Sequence, residues 1–298
     1  MTVPPLVSVV VPTYDRLTLL REAVQSVRAQ SYPHWELLVV DDGSADGTAA
    51  YLDGLGDPRI RLLAAAHTGN VAHVRNLGME AASGAYVAFL DSDDLWLPAK
   101  LATQLGRMRD EGVPWSYTRY EHIDEKGSTV PPRAGEWRAL SGDIAREVVT
   151  TEAAVTICTV MVERRLLAEV GPFDEDLGSR EDYDLILRLA LRSRTLAVTD
   201  TLTLVRVHGG RSTGALTGAT PYLATARVYD KHLATLPSPE LRELARRRRA
   251  YHLAEAGARR MHAGALREGA GLFARALMDR PVNRQWWSAL ARGLGLKR

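Results

Sequence analysis

At 298 residues, with 46% hydrophobic and 25% charged residues, the chain is too ordinary for a disordered or fibrous protein, and is long enough for one large α/β domain with or without an appendage. The single cysteine, Cys158, excludes an intramolecular disulfide framework and fits a reducing compartment; no apolar run approaches the roughly 20 residues of a membrane span and no signal peptide is visible, so the expected location is cytoplasmic. The net charge of +2 hides an asymmetry: from Leu241 to Arg298, 14 Lys or Arg face 4 Asp or Glu (+10), while the rest carries 24 against 32 (−8).

In chain order, Val7-Ser8-Val9-Val10-Val11 is a β-branched run stopped by Pro12, and Leu17, Leu20, Val24 and Val27 then recur at helical spacing. Glu36-Leu37-Leu38-Val39-Val40 repeats the strand, ends in Asp41-Asp42-Gly43-Ser44, and precedes a helix over 48–55. A weaker strand over 60–64, a helix over 71–82 and a buried strand over 85–90 follow. That last strand, apolar on both faces, runs into Asp91-Ser92-Asp93-Asp94. Carboxylates so close stay ionised together only if water or a cation offsets them, and a hard divalent ion, Mg²⁺ or Mn²⁺, with phosphate oxygens completing its shell, fits that need. The competing reading is a solvated acidic loop leading into a helix that Pro98 opens.

Strands alternating with helices imply a mostly parallel, Rossmann-like sheet flanked by helices, whose ligands sit beyond the carboxyl ends of the strands. Three such ends carry Pro12-Thr13-Tyr14-Asp15, Asp41-Asp42 and the Asp91 cluster, yet Gly-x-Gly-x-x-Gly and the Walker motif are missing, so metal and basic side chains must hold any phosphate. Beyond Trp115 the pattern loosens. Strands are expected over 115–122, 156–162 and 202–207, helices over 164–170 and from Glu181-Asp182, and a basic helical stretch from Pro239 that contains Arg246-Arg247-Arg248-Arg249. Trp286-Trp287 beside Leu290, Leu294 and Leu296 could lie on an anionic membrane surface or pack on the catalytic domain.

Ser8 to Arg16, Val39 to Thr48, Arg75-Asn76-Leu77-Gly78, Phe89 to Asp94 and Glu181-Asp182-Tyr183-Asp184-Leu185, in that order, resemble the inverting family 2 glycosyltransferases of the GT-A fold. The resemblance covers residues 6–215 and implies transfer of a sugar from a nucleotide diphosphate donor, most often a uridine diphosphate sugar, with Mn²⁺ or Mg²⁺. It implies that Pro12, Thr13, Tyr14 and Asp15 line the base, Asp42 accepts from the uracil N–H, and Arg75 stands near the base or phosphates. Asp91 would face the ribose with Ser92 beside it, Asp93 would ligate the metal, and Asp182, with Glu181 next to it, would be the general base. Asp15 stands where the family more often shows Asn.

On this basis 1–220 is expected to be the catalytic domain, with a nucleotide half over 1–110 and an acceptor half over 111–220, and 221–298 a helical C-terminal appendage. His208, after a strand and before two glycines, is either a metal or diphosphate ligand or structural. Trp96 either stacks on a sugar ring or packs, and Glu181 and Asp182 could instead compensate a helix dipole. The acceptor is expected in glycan or polysaccharide assembly, with a peptide or small natural product as the alternative and no nucleic acid as partner. The rivals from other classes are an aspartate-nucleophile phosphohydrolase, a phosphoaspartate receiver and a non-catalytic sugar-nucleotide-binding protein.

Overall fold

The computed structural model describes residues 3–131, 137–207 and 218–279. The chain forms two compact units, one of Met1–Ala145, Ala153–Glu175 and Leu185–His208, the other of Arg146–Glu152, Asp176–Asp184 and Gly209–Arg298.

The first unit opens with β1 (Val7–Thr13), α1 (Leu17–Arg28), β2 (Trp35–Asp41), α2 (Thr48–Asp53), β3 (Ile60–Ala64), α3 (Val71–Ala81) and β4 (Tyr86–Phe89). Every residue of β1 and β2 is buried, as strands covered on both faces require. In α1 the buried Leu20, Ala23, Val24 and Val27 fall on one stripe, and Asn70 caps α3 by accepting the Ala72 N–H at 3.1 Å. Gly78 lets α3 lie against the sheet, because a Cβ there would collide with Val10.

Next in the chain come β5 (Leu95–Trp96), α4 (Lys100–Glu111), β6 (Trp115–Ile123), β7 (Thr129–Val130), α5 (Ala145–Val149), β8 (Met161–Glu163), α6 (Arg164–Val170), α7 (Glu181–Arg192) and β9 (Leu196–Arg206), of which α5 beyond Ala145 and the start of α7, to Asp184, belong to the second unit. The sheet runs β3-β2-β1-β4-β8-β6-β9-β5, with β7 paired to β6. Six of its nine strands point one way, and only β5, β7 and β8 oppose them among the described residues. Because β2 lies on one side of β1 and β4 on the other, their carboxyl ends border the crevice where chain direction switches sides.

One expected strand is replaced. Over 156–162, Ile157–Thr159 form a buried 3-10 turn and extended pairing begins at Met161. Tertiary donors take the carbonyls that a ladder would use: the Trp96 indole N–H donates to Cys158 O at 2.9 Å and the Gln104 amide to Thr159 O at 3.0 Å. The last strand also begins earlier than expected, at Leu196 instead of 202.

The second unit contains α8 (Thr220–His232), α9 (Pro239–His262) and α10 (Leu266–Asp279). Its core joins Ala226, Ala250, Leu253, Ala254, Ala258, Phe273 and Ala276. The α9–α10 hairpin closes at Gly257 and Gly269, where a Cβ on Gly257 would stand 2.9 Å from Gly269 O. Part of the basic run on α9 is spent inside the unit, since Arg249 donates to Asp279 at 2.6 Å and to Asp230 at 2.5 Å. Among the described residues no helix is long and apolar enough to cross a membrane. Trp286 and Trp287 lie outside the described residues.

Candidate active site

The loops after β1 and β2 are braced on each other by the polar residues of their motifs. Asp15 takes the left-handed backbone, φ 44°, which Asp and Asn tolerate better than most residues, so either suits this position. Its N–H donates to Ser44 Oγ and its carboxylate accepts from Ala45 N, both at 2.8 Å. Asp46 accepts the Leu17 N–H at 2.7 Å and the Thr48 hydroxyl at 2.7 Å, tying the starts of α1 and α2 together. Thr13 is buried at the end of β1, whereas Tyr14 is 43% exposed and stacks on His67 with ring centroids 4.0 Å apart.

Asp42, at the end of β2, is only 4% exposed. Its Oδ1 accepts from Thr68 N at 2.9 Å and Thr68 Oγ1 at 3.0 Å, while its Oδ2 accepts from Gly69 N at 2.9 Å and lies 3.0 Å from His67 Nδ1. Burial alone would raise this carboxyl, but the two amides, the Thr68 hydroxyl and His67 outweigh it and hold it below the usual carboxylate range. The carboxylate is thus committed to the loop at 67–69, and a further donor could be accepted only in competition with these.

Two of the acids after β4 are paired with arginines. Arg75, buried on α3, donates to Asp91 Oδ1 at 2.7 Å, and Arg16 donates to Asp93 Oδ2 at 2.9 Å. Asp94 is fully buried and accepts the Arg206 N–H at 2.8 Å. Arg206 organises the cluster from β9, donating to Asp93 O at 3.0 Å, Glu125 O at 3.1 Å and Glu22 Oε2 at 2.6 Å. Asn76 fixes the opposite wall, accepting from Phe173 N at 2.8 Å and donating to Glu175 Oε1 at 2.9 Å.

Asp91, Asp94 and Cys158 bring ligand atoms within 4.8 Å of one another. Burial first, then Asp94 and Asp91, push the Cys158 thiol well above its ordinary range, and a sulfur is a soft donor that a hard cation does not favour. Carboxylate oxygens alone remain, the donors a hard cation prefers, and on Asp91 and Asp93 arginine charges now hold the place of a counter-ion. The residues present thus fit Mn²⁺ or Mg²⁺.

The first unit brings together Pro12, Thr13, Tyr14, Asp15, Asp42, Arg75, Asp91, Ser92 and Asp93. Glu181 and Asp182 open α7 in the second unit, where Asp182 is half-buried and accepts the Tyr183 N–H at 2.7 Å. His208 lies outside the described residues. Trp96 is corrected: it is 3% exposed, its indole N–H is committed to Cys158, and the Lys100 ammonium lies 4.0 Å from its ring centroid, so no face is left for a sugar. Sequence reasoning gave no role to Arg16, His67 or Arg206; the signal for Arg206 is a lone charge inside the apolar strand Leu202-Thr203-Leu204-Val205.

The sequence matches the family described as Glycosyl transferase family 2 over residues 8–171, more than half of the chain. The UDP-Glc:alpha-D-GlcNAc-diphosphoundecaprenol beta-1,3-glucosyltransferase WfgD of Escherichia coli is 33% identical over 62% of this chain and 69% of its own. The putative teichuronic acid biosynthesis glycosyltransferase TuaG of Bacillus subtilis is 35% identical over 64% of this chain and 74% of its own. Against an uncharacterized glycosyltransferase of Rickettsia felis, 34% identical over 70% of this chain, the match spans only 34% of the relative's length. Among solved structures, S. aureus TarS 1-349 in complex with UDP-GlcNAc superposes with a TM-score of 0.70 at 20% identity, covering 97% of this chain and 83% of that one. The mannosyltransferase PcManGT of Pyrobaculum calidifontis, solved with GDP-Man and Mn²⁺, gives 0.62 at 22% identity, covering 99% and 81%. The chain belongs to glycosyl transferase family 2 and has the GT-A fold.

Proposed function

We propose that the protein is a metal-dependent inverting glycosyltransferase that moves a sugar from a uridine diphosphate donor to an acceptor hydroxyl in glycan or polysaccharide assembly. The observation that carries this reading is the convergence of Tyr14, Asp42, Asp91 and Asp93 at the carboxyl ends of β1, β2 and β4, with Arg16 on Asp93 and Arg75 on Asp91. The family match, and the relatives named for a glucosyl transfer from UDP-Glc and for teichuronic acid biosynthesis, support it.

In this reading Pro12, Thr13, Tyr14 and Asp15 line the base, and Asp42 accepts its N–H in exchange for one of the loop donors. Asp91, with Ser92 beside it, faces the ribose, and Asp93, paired here with Arg16, would hold Mn²⁺ or Mg²⁺. The metal supplies Lewis acidity to the departing diphosphate. Asp182, at the start of α7, removes the proton of the attacking hydroxyl, a role typically worth about 10² to 10⁴ in rate. Residues 1–220 form the catalytic domain and 221–298 an appendage whose positive charge suits an anionic membrane surface beside a lipid-linked acceptor.

The test is release of free nucleotide from a panel of nucleotide sugars with Mn²⁺ or Mg²⁺. Turnover of a uridine diphosphate sugar that EDTA abolishes is expected. Hydrolysis of a phosphate monoester, with every nucleotide sugar left intact, would transfer the assignment to an aspartate phosphohydrolase.

A further inference from the structure

The first turn of α7 carries Asp182 on one side and is gripped by α8 on the other. Asp182 and Asp184 stand two residues apart, about 200° around the helix from each other, so they face opposite ways. Burial agrees: Asp182 is half-buried and Asp184 fully buried. A carboxylate taken out of water is stable only where its charge and lone pairs are met. Two partners for Asp184 come from the end of α8: Lys231 Nζ lies 3.0 Å from Oδ1 and 3.1 Å from Oδ2, and His232 Nε2 lies 2.6 Å from Oδ1.

Tyr183, between the two acids, is tied to the same helix. Its hydroxyl donates to Val148 O at 3.0 Å and lies 2.9 Å from the hydroxyl of Tyr229, which donates to Val149 O at 2.8 Å. Tyr229, Lys231 and His232 thus hold the two residues that follow Asp182, and all of these residues belong to the second unit. The backbone enters this turn under strain: Arg180 has a φ of 69°, and its carbonyl accepts the Asp184 N–H at 3.0 Å. Such a conformation persists where surrounding contacts impose it. Compensation of a helix dipole would account for acids in a first turn, but it requires neither full burial nor an ammonium and an imidazole on one carboxylate.

We propose that Lys231 and His232 are positioning residues for the transfer reaction: through Asp184 they fix the first turn of α7 and so the aim of the Asp182 carboxylate at the acceptor hydroxyl. The inference rests on the reading of Asp182 as general base. It extends the catalytic machinery past residue 220 to include α8. Their loss acts on the rate through displacement of the base, and a displacement of about 1 Å costs on the order of 10².

The test uses two readouts on the full-length protein. In His232→Leu, amide hydrogen exchange at Asp184 and Leu185 should quicken at least about tenfold while β1 and α1 stay unmoved, and His232→Gln, which keeps an N–H at similar reach, should restore most of the protection. Lys231 is exposed along part of its length, so Lys231→Met tests the same link where packing is least at risk, with the same pattern expected. The second readout is a double-mutant cycle on release of UDP from the uridine diphosphate sugar that wild type turns over fastest. His232→Leu should lower kcat by about 10- to 100-fold with UDP affinity within about twofold of wild type. In an Asp182→Asn background the same substitution should cost at most about twofold more, because the positioned group is already gone. An equal loss in both backgrounds is the mark of a merely structural role and overturns the proposal, as do unmoved exchange at Asp184 and wild-type kcat in both His232→Leu and Lys231→Met. Wild-type kcat in Asp182→Asn defeats the base reading and the positioning role with it; failure of the positioning role alone leaves Asp182→Asn slow and the two losses multiplying.

Discussion

Asp93 and Asp182 are assigned opposite electrostatic tasks: one gathers positive charge at the donor and the other collects a proton from the acceptor. Asp182→Asn keeps the size and the local bond to Tyr183 N but removes the basicity, so transfer should fall by about 10² to 10⁴ while UDP affinity stays within a few-fold. Turnover close to wild type would return Asp182 to compensation of the α7 dipole. At Asp42 the prediction concerns selectivity. A carboxylate that can only accept opposes the ring acceptor of cytosine, an unsatisfied contact of roughly 1–3 kcal/mol, so UDP should inhibit at least about fivefold better than CDP, and equal inhibition would remove the base-reading role. Asp42 and Asp93 could be read from the chain because each follows an apolar strand. Their partners could not: Arg206 lies 113 residues from Asp93 in sequence, and the loop at 67–69 carries no pattern that assigns it to Asp42.

Among the elements, the regular ones were legible wherever apolar periodicity set the burial, as in β1, β2, α1 and α3. The 3-10 turn at 157–159 was not, because Trp96 and Gln104, far off in sequence, decide where its carbonyls point. Helix α4 hides a further charge. Lys100 is fully buried and donates to Gln104 Oε1 at 2.7 Å; burial pushes it down to about 7, against a smaller opposing effect of Cys158. Between about 7 and the ordinary lysine value of 10.5, the unfolded chain holds this proton and the folded chain does not, so this group's contribution makes stability rise with pH across that window. Lys100→Met keeps the packing and removes the charge. Its gain in urea midpoint over wild type should be largest at pH 7 and below and shrink towards pH 9.5; a gain independent of pH would mean that Lys100 is not charged at the cost its burial implies.

On the scale of the whole molecule, the excess of basic charge in the C-terminal stretch is the property that composition announced most plainly. The structure shows that it is not all available, since Arg249 is tied to Asp230 and Asp279, while Arg246 and Arg247 remain exposed on α9. Sedimentation with anionic vesicles should therefore weaken with salt and fall at least about tenfold when Arg246 and Arg247 are both changed to Glu, at about 1 kcal/mol per basic residue near such a surface. Binding that ignores both salt and these residues would exclude an electrostatic attachment through α9. The central claim, a nucleotide diphosphate held at the ends of β1, β2 and β4 through a cation on Asp93, is tested most directly by calorimetry of UDP with and without Mn²⁺. Wild type should bind UDP tightly only with the metal and Asp93→Ala should lose that dependence; metal-dependent affinity unchanged in Asp93→Ala would contradict the account.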